Sequence, residues 1–127
     1  MALMGGAFQA SEFGPAVSTV GALLGRVAEV RRRWSLDLEE ALLYLCIGYL
    51  NTERSLRMGS HGFVAATNIS SVANFIGMPK ETARRKINKL IDGGLVLNVG
   101  GIVIADIERW VAIAGGPREK GGQPPAP

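Results

Sequence analysis

A mainly α-helical domain with one small β-hairpin is the fold class this sequence predicts, and three observations predict it. Apolar residues recur at three- and four-residue steps in successive stretches from Val17 to Ala114, the period of a helix with one buried face. Gly77 and Pro79 separate two of these stretches by a tight turn. Near the end, LVLNVGGIVIAD sets two short runs of β-branched and aliphatic residues around Gly100-Gly101, a hairpin signal. With 127 residues, 47% hydrophobic and 20% charged, the chain is long and apolar enough for one ordinary core, with no room for a second sensor or catalytic domain.

The expected domain spans residues 16–114. Residues 1–15, MALMGGAFQASEFGP, mix Gly, Ala and isolated aromatics without periodicity and read as a mobile end; residues 115–127 read as a disordered Gly/Pro tail. The first helix carries Val17, Val20, Leu24, Val27, Val30 and Trp34 on one face. Arg31-Arg32-Arg33 reads as its cationic last turn, with phosphate contact as the alternative. Ser35 or Asp37 caps a second helix, with Glu39 and Glu40 in its first turn, running to about Asn51 before TERSLRMGSHG ends it. Two stripes, Leu38/Leu42/Leu45/Tyr49 and Leu43/Ile47/Leu50, make this helix either central or shared with another subunit. Phe63-Val64-Ala65 is a candidate short strand.

From Asn68 onward the pattern carries function. Asn68 caps a short helix with Ile69, Val72, Ala73 and Ile76 on one side, and Gly77 ends it with an expected positive φ in a turn packed between helices. Pro79 opens the next helix, where Ala83, Ile87, Leu90 and Ile91 face inward. Glu81, Arg84, Arg85, Asn88 and Asp92 line the other side, with Thr82 beside them and Lys80, Lys86 and Lys89 on the flanks. Five basic and two acidic side chains between Lys80 and Asp92 give a local +3, equal to the formal charge of the whole chain. A helix, a glycine turn and a basic polar helix form a helix-turn-helix over residues 68–92, whose second helix enters the DNA major groove. Its residue types suit contact with bases and phosphates, since Arg bonds guanine, Asn bonds adenine, Glu accepts from cytosine, and Lys holds phosphate. The hairpin at 95–104 is then a wing, with Asn98, Gly100 and Gly101 at its end, and Asp106 caps a last helix bearing Ile107, Trp110, Val111 and Ala114.

NISSVANFIGMPKETARRKINKLIDGGLV resembles the motif of the winged helix-turn-helix transcription regulators, most specifically the DNA-binding domain of the cyclic-AMP receptor and fumarate/nitrate regulator superfamily. That motif has an alanine or glycine in the first helix, then G-x-S-R-E-T-V-x-R, a spacer, and a leucine before G-L-I. The resemblance covers about residues 68–107 and implies that Lys80, Glu81 and Arg85 read the major groove. Two positions depart from it: Pro79 replaces the usual Ser cap, and Lys86 stands where the family has an apolar residue, leaving Ile87 to fill the core. Nothing upstream matches that family's cyclic-nucleotide domain.

The expected function is therefore a transcription regulator that binds specific double-stranded DNA through helix 80–92, with a winged-helix protein-interaction module as the alternative. A homodimer is expected, with Val20, Leu24, Val27, Leu43 and Ile47 as interface residues. No enzyme, cofactor or metal is expected. Cys46 is the only cysteine, read as a small core residue, and the lone His61 has no carboxylate or nucleophile adjacent in sequence. With no signal-like segment and no apolar run of membrane-spanning length, the expected location is cytoplasmic, without a membrane partner.

Overall fold

A computed structural model describes residues 9–59 and 64–116. The elements run α1 (Ala10–Trp34), α2 (Leu38–Met58), α3 (Ile69–Ile76), α4 (Lys80–Asp92), β1 (Val96–Asn98), β2 (Ile102–Ile104) and α5 (Ile107–Ala114). The chain is thus mainly helical, with one two-stranded antiparallel sheet in which Val96 pairs with Ile104 and Asn98 with Ile102. Thr67 adds a single bridge to Ile102 where the short strand at 63–65 was expected; Val64 and Ala65 are not in a strand, and Phe63 lies outside the described residues. So do His61, residues 1–8 and most of the expected tail. Among the described residues no helix is long and apolar enough to cross a membrane.

α1 begins at Ala10, so residues 10–15, expected to be mobile, are its first turns. Pro15 sits inside the helix, where its missing N–H removes one intrahelical bond and its φ remains helical. α1 ends at Ser35, which takes a left-handed φ of 55°. The cap of α2 is accordingly Asp37: its side chain accepts from the Glu40 N–H at 2.7 Å, and the Glu40 carboxylate accepts from the Asp37 N–H at 2.9 Å. α2 continues past Asn51 to Met58, because the polar residues read as a loop bond locally within the helix. Thr52 and Ser55 donate back to the carbonyls of Gly48 and Asn51 at 2.9 and 3.0 Å, and Glu53 pairs with Arg57 at 2.7 Å.

α2 is the centre of the domain, packed by α1, α3, α4, α5 and β2. Its neighbours bury Leu43 and Ile47 of one stripe, with Tyr44, Val30, Val72, Ala83, Ile87, Leu90 and Val96, and leave Leu38 and Tyr49 of the other exposed and its Leu42 and Leu45 half-buried. This corrects the interface expectation: Leu43, Ile47 and Val27 belong to the chain's own core, while Val20 and Leu24 remain exposed on α1. Trp110 of α5 crosses α2 at Gly48, where a Cβ would stand 1.9 Å from the indole, and its Nε1 donates to the Tyr44 carbonyl at 3.2 Å. Burial pushes the Tyr44 hydroxyl up to about 12 and the Cys46 thiol up to about 11, so Cys46 stays a protonated, buried core thiol at neutral pH.

Beneath the hairpin, Asn51 is fully buried in α2. Its Nδ2 donates to the carbonyls of Ala65 and Ile102 at 2.9 and 3.1 Å, and its Oδ1 accepts from the Ile104 N–H at 2.9 Å. One side chain thereby ties the central helix to β2 and to the strand-like segment that precedes α3.

Candidate nucleic-acid interface

Asn68 caps α3, accepting from the Ser71 N–H at 2.8 Å. Gly77 ends it with φ 75°, its own N–H and that of Met78 both bonding the Ala73 carbonyl at 2.9 Å. The turn is less enclosed than expected: Gly77 is exposed, and a Cβ there would meet nothing within 4 Å. Its glycine is required by backbone conformation and not by packing. Pro79 takes the N-cap position of α4 without a side-chain cap.

Ala83, Ile87 and Leu90 bury one face of α4, and Ile91 is half-buried at its edge. Lys80, Glu81, Arg84, Arg85, Asn88, Lys89 and Asp92 are exposed, and Thr82 is partly exposed. The ion pair that forms on this surface joins Glu81 to Arg84 at 3.4 Å and does not include Arg85. Lys89 lies 3.8 Å from Glu40 with most of its side chain in solvent.

Lys86 is the correction. Its ammonium contacts Asp37 at 2.5 Å and Glu39 at 3.3 Å, and only 14% of its side chain is exposed. Those partners sit at the N-terminus of α2, so the side chain is committed to a bridge between α4 and α2 and leaves the phosphate-contact set. Its bond to Asp37 raises the Lys86 pKa against the opposing effect of desolvation, with Glu39 adding to the rise. Partial burial works to raise the Asp37 carboxyl, but the Lys86 ammonium and the Glu40 N–H outweigh it and hold the group below its ordinary value.

The hairpin brings its own residues to the same side as the start of α4. Thr67, Asn68, Ile69 and Ser70 at the head of α3, Lys80 and Arg84 of α4, and Asn98, Gly101 and Ile102 of the hairpin line one open cleft of about 310 Å³. The expected residues Lys80, Arg84, Asn98 and Gly101 thus meet in one place, and Gly100 is exposed at the turn beside them. Gly101 has φ 144°, and a Cβ there would stand 2.6 Å from the Ala66 Cβ, so glycine alone lets the hairpin lie against the segment before α3. Sequence reasoning misses the contribution of Thr67, Ile69 and Ser70, whose only signal is their position beside the Asn68 cap. It also misses Arg54, exposed near the end of α2, whose guanidinium donates to the Ala66 carbonyl at 3.5 Å beside the hairpin.

The Arg31–Arg33 run closes α1: Arg31 donates to the Leu36 carbonyl at 3.2 Å, and Arg33 pairs with Glu29 at 3.0 Å and lies over the Trp34 ring. These contacts are those of a cationic helix end. Among the described residues no group of three or more His, Cys, Asp or Glu gathers where a metal could be held. Compared with protein-family models, curated proteins and solved structures, the chain matches none of them.

Proposed function

We propose that this chain is a winged helix-turn-helix protein that binds double-stranded DNA, with α4 in the major groove and the β1–β2 hairpin as a wing against the flanking backbone. One observation carries the reading: the head of α3, the basic start of α4 and the hairpin line a single cleft. In that arrangement the α3 N-terminus, Lys80 and Arg84 offer backbone N–H groups and cations to phosphate. Arg85 and Asn88, exposed further along α4, face the base edges, with Glu81 beside them. With Lys86 paired to Asp37 and Glu39, Lys80, Arg84, Arg85 and Lys89 against Glu81 and Asp92 leave a local +2 that supplies the sequence-independent attraction bringing the helix to the duplex.

Selection from random duplexes, followed by footprinting of the enriched site, tests the proposal. The expected result is an enriched sequence bound with a steep salt dependence. Enrichment of no sequence, together with no duplex binding at low salt, would transfer the domain to the protein-interaction reading.

A further inference from the structure

α1 extends beyond the domain it starts from. Val27 and Val30 are its buried residues, whereas Ala10–Leu24 is exposed throughout, an arm about 22 Å long at 1.5 Å per residue. No charged residue lies between Glu12 and Arg26. Val17, Val20 and Leu24 are 71%, 52% and 61% exposed and follow one another at three- and four-residue steps that lead to Val27. That alternation keeps one stripe facing a partner helix over its whole length. A helix face this apolar and uncharged has no means of its own to remain solvated.

Beside the arm lies its complement. Leu23 of α1, Leu42, Leu45 and Tyr49 of α2, and Phe75 and Ile76 of α3 line an apolar groove of about 410 Å³. The Tyr49 and Phe75 rings stack at 5.2 Å along its edge, and Phe75 is 60% exposed. One chain therefore presents both an uncovered apolar helix and an uncovered apolar groove, and the arm's position next to the groove makes the two surfaces continuous.

We infer that the occupant is a second copy of this chain, the arm of each protomer lying in the α1–α2–α3 groove of the other about a two-fold axis. Area supports a reciprocal seating over simple arm-to-arm contact. A helix about 22 Å long presents roughly 450 Å² on one side. If each groove loses as much area as the arm that fills it, the loss per partner is about 900 Å², close to the roughly 800 Å² that stable interfaces bury on each side. A membrane surface fits less well, because an interfacial helix carries Lys and Arg on its polar face and this arm has Ser18 and Thr19 there. The inference does not rest on the DNA reading: self-association and duplex binding are measured separately, and either can fail alone.

Sedimentation equilibrium of the full chain at tens of micromolar, in parallel with flotation on vesicles of phosphatidylcholine and phosphatidylglycerol, tests it. The wild type is expected to be a dimer that does not float. Val20→Glu and Leu24→Glu place a carboxylate in the seam and are expected to raise the dissociation constant about a hundredfold or more, while Ser18→Glu on the opposite face of α1 leaves it unchanged. Phe75→Glu, in the groove and away from the arm, is expected to dissociate the dimer as well. Since all four positions are exposed, circular dichroism of each variant is expected to show unchanged helix content. A monomeric wild type, a chain that floats with the vesicles, or a Phe75→Glu protein that remains fully dimeric overturns the proposal.

Discussion

Lys86 of α4 and Asp37, the N-cap of α2, form an ion pair of 2.5 Å across 49 positions of sequence. Asp37 is at once the acceptor that starts the central helix and the anchor for the helix that bears the candidate DNA-binding face. Lys86→Ala is expected to lower the melting temperature and to leave the salt dependence of duplex binding unchanged. Lys80→Ala, in the open cleft, is expected to do the reverse, lowering the slope of log K against log salt by about one with melting unaltered. A salt slope that falls equally in both variants would return Lys86 to the phosphate-contact set.

The same pair sets a pH dependence at both ends of the scale. The Asp37 carboxyl is held below its ordinary value, so the stability it contributes is present above the unfolded-state pKa, about 3.9, and is lost as pH falls through the lower folded value. Lys86 is raised, so its contribution is present below about 10.4 and is lost as pH rises through the higher folded value. Asp37→Asn is expected to flatten the acid limb of a melting-temperature profile below about pH 4, while Lys86→Met flattens the alkaline limb above about pH 10. Parallel profiles for wild type and both variants would remove the pair from the stability of the fold.

Among the described residues Arg85 forms no ion pair that links it to another element, and it is exposed on α4. Arg85→Ala is expected to cost roughly 1 to 3 kcal/mol of specific DNA binding and to relax base choice at one position, with melting nearly unchanged. Competition titrations against single-base variants of the selected site measure both effects. A uniform loss on every sequence would make Arg85 a phosphate contact.

What can be read from the sequence is local. The Asn68 cap, the Gly77 stop, Pro79 and the Gly100-Gly101 hairpin each announce themselves within four or five residues, and the cap of α2 narrows to Ser35 or Asp37, because a cap or turn is built from neighbours. The misreadings share the opposite property. Lys86 looks like a clamp until its acidic partners, distant in sequence, arrive beside it. Leu43 and Ile47 look surplus to one small domain until α3, α4, α5 and β2 all pack on the helix that carries them. The candidate site is legible along α4, but the cleft requires a hairpin and a helix start to meet, which periodicity does not encode.

The glycines separate backbone strain from packing. Gly77→Ala meets open space but keeps φ at 75°, so it is expected to cost about 1 kcal/mol, with Gly77→Val costing more because a β-branched residue tolerates that conformation less. Gly48→Ala carries no φ penalty, yet its Cβ would overlap the Trp110 indole, and displacing α5 is expected to cost several times as much as Gly77→Ala. Urea unfolding of the three variants gives the order directly. Gly77→Ala less stable than Gly48→Ala would mean that Trp110 does not cross α2 at Gly48.

Asn51 offers the sharpest test of how the hairpin is held. Its side chain bonds three backbone groups on two different segments, and it is completely buried on α2, one turn before the buried Ser55. Asn51→Leu is close to the same size and more hydrophobic, so transfer free energy alone argues for a gain. Against it, the Ala65 carbonyl and the Ile104 N–H would lose this partner in the interior, at about 1 to 3 kcal/mol for each group left unsatisfied, while the Ile102 carbonyl keeps the Thr67 N–H at 3.0 Å. Even partial rearrangement leaves the loss larger than the gain, and Asn51→Leu is expected to destabilise the domain by about 3 kcal/mol. Hydrogen exchange locates the effect: protection is expected to fall first at Ile104, whose amide bonds Asn51, and less at Ala83 and Ile87 in α4. A variant as stable as the parent, with β2 amides equally protected, would show that the hairpin is held to α2 by its apolar residues alone.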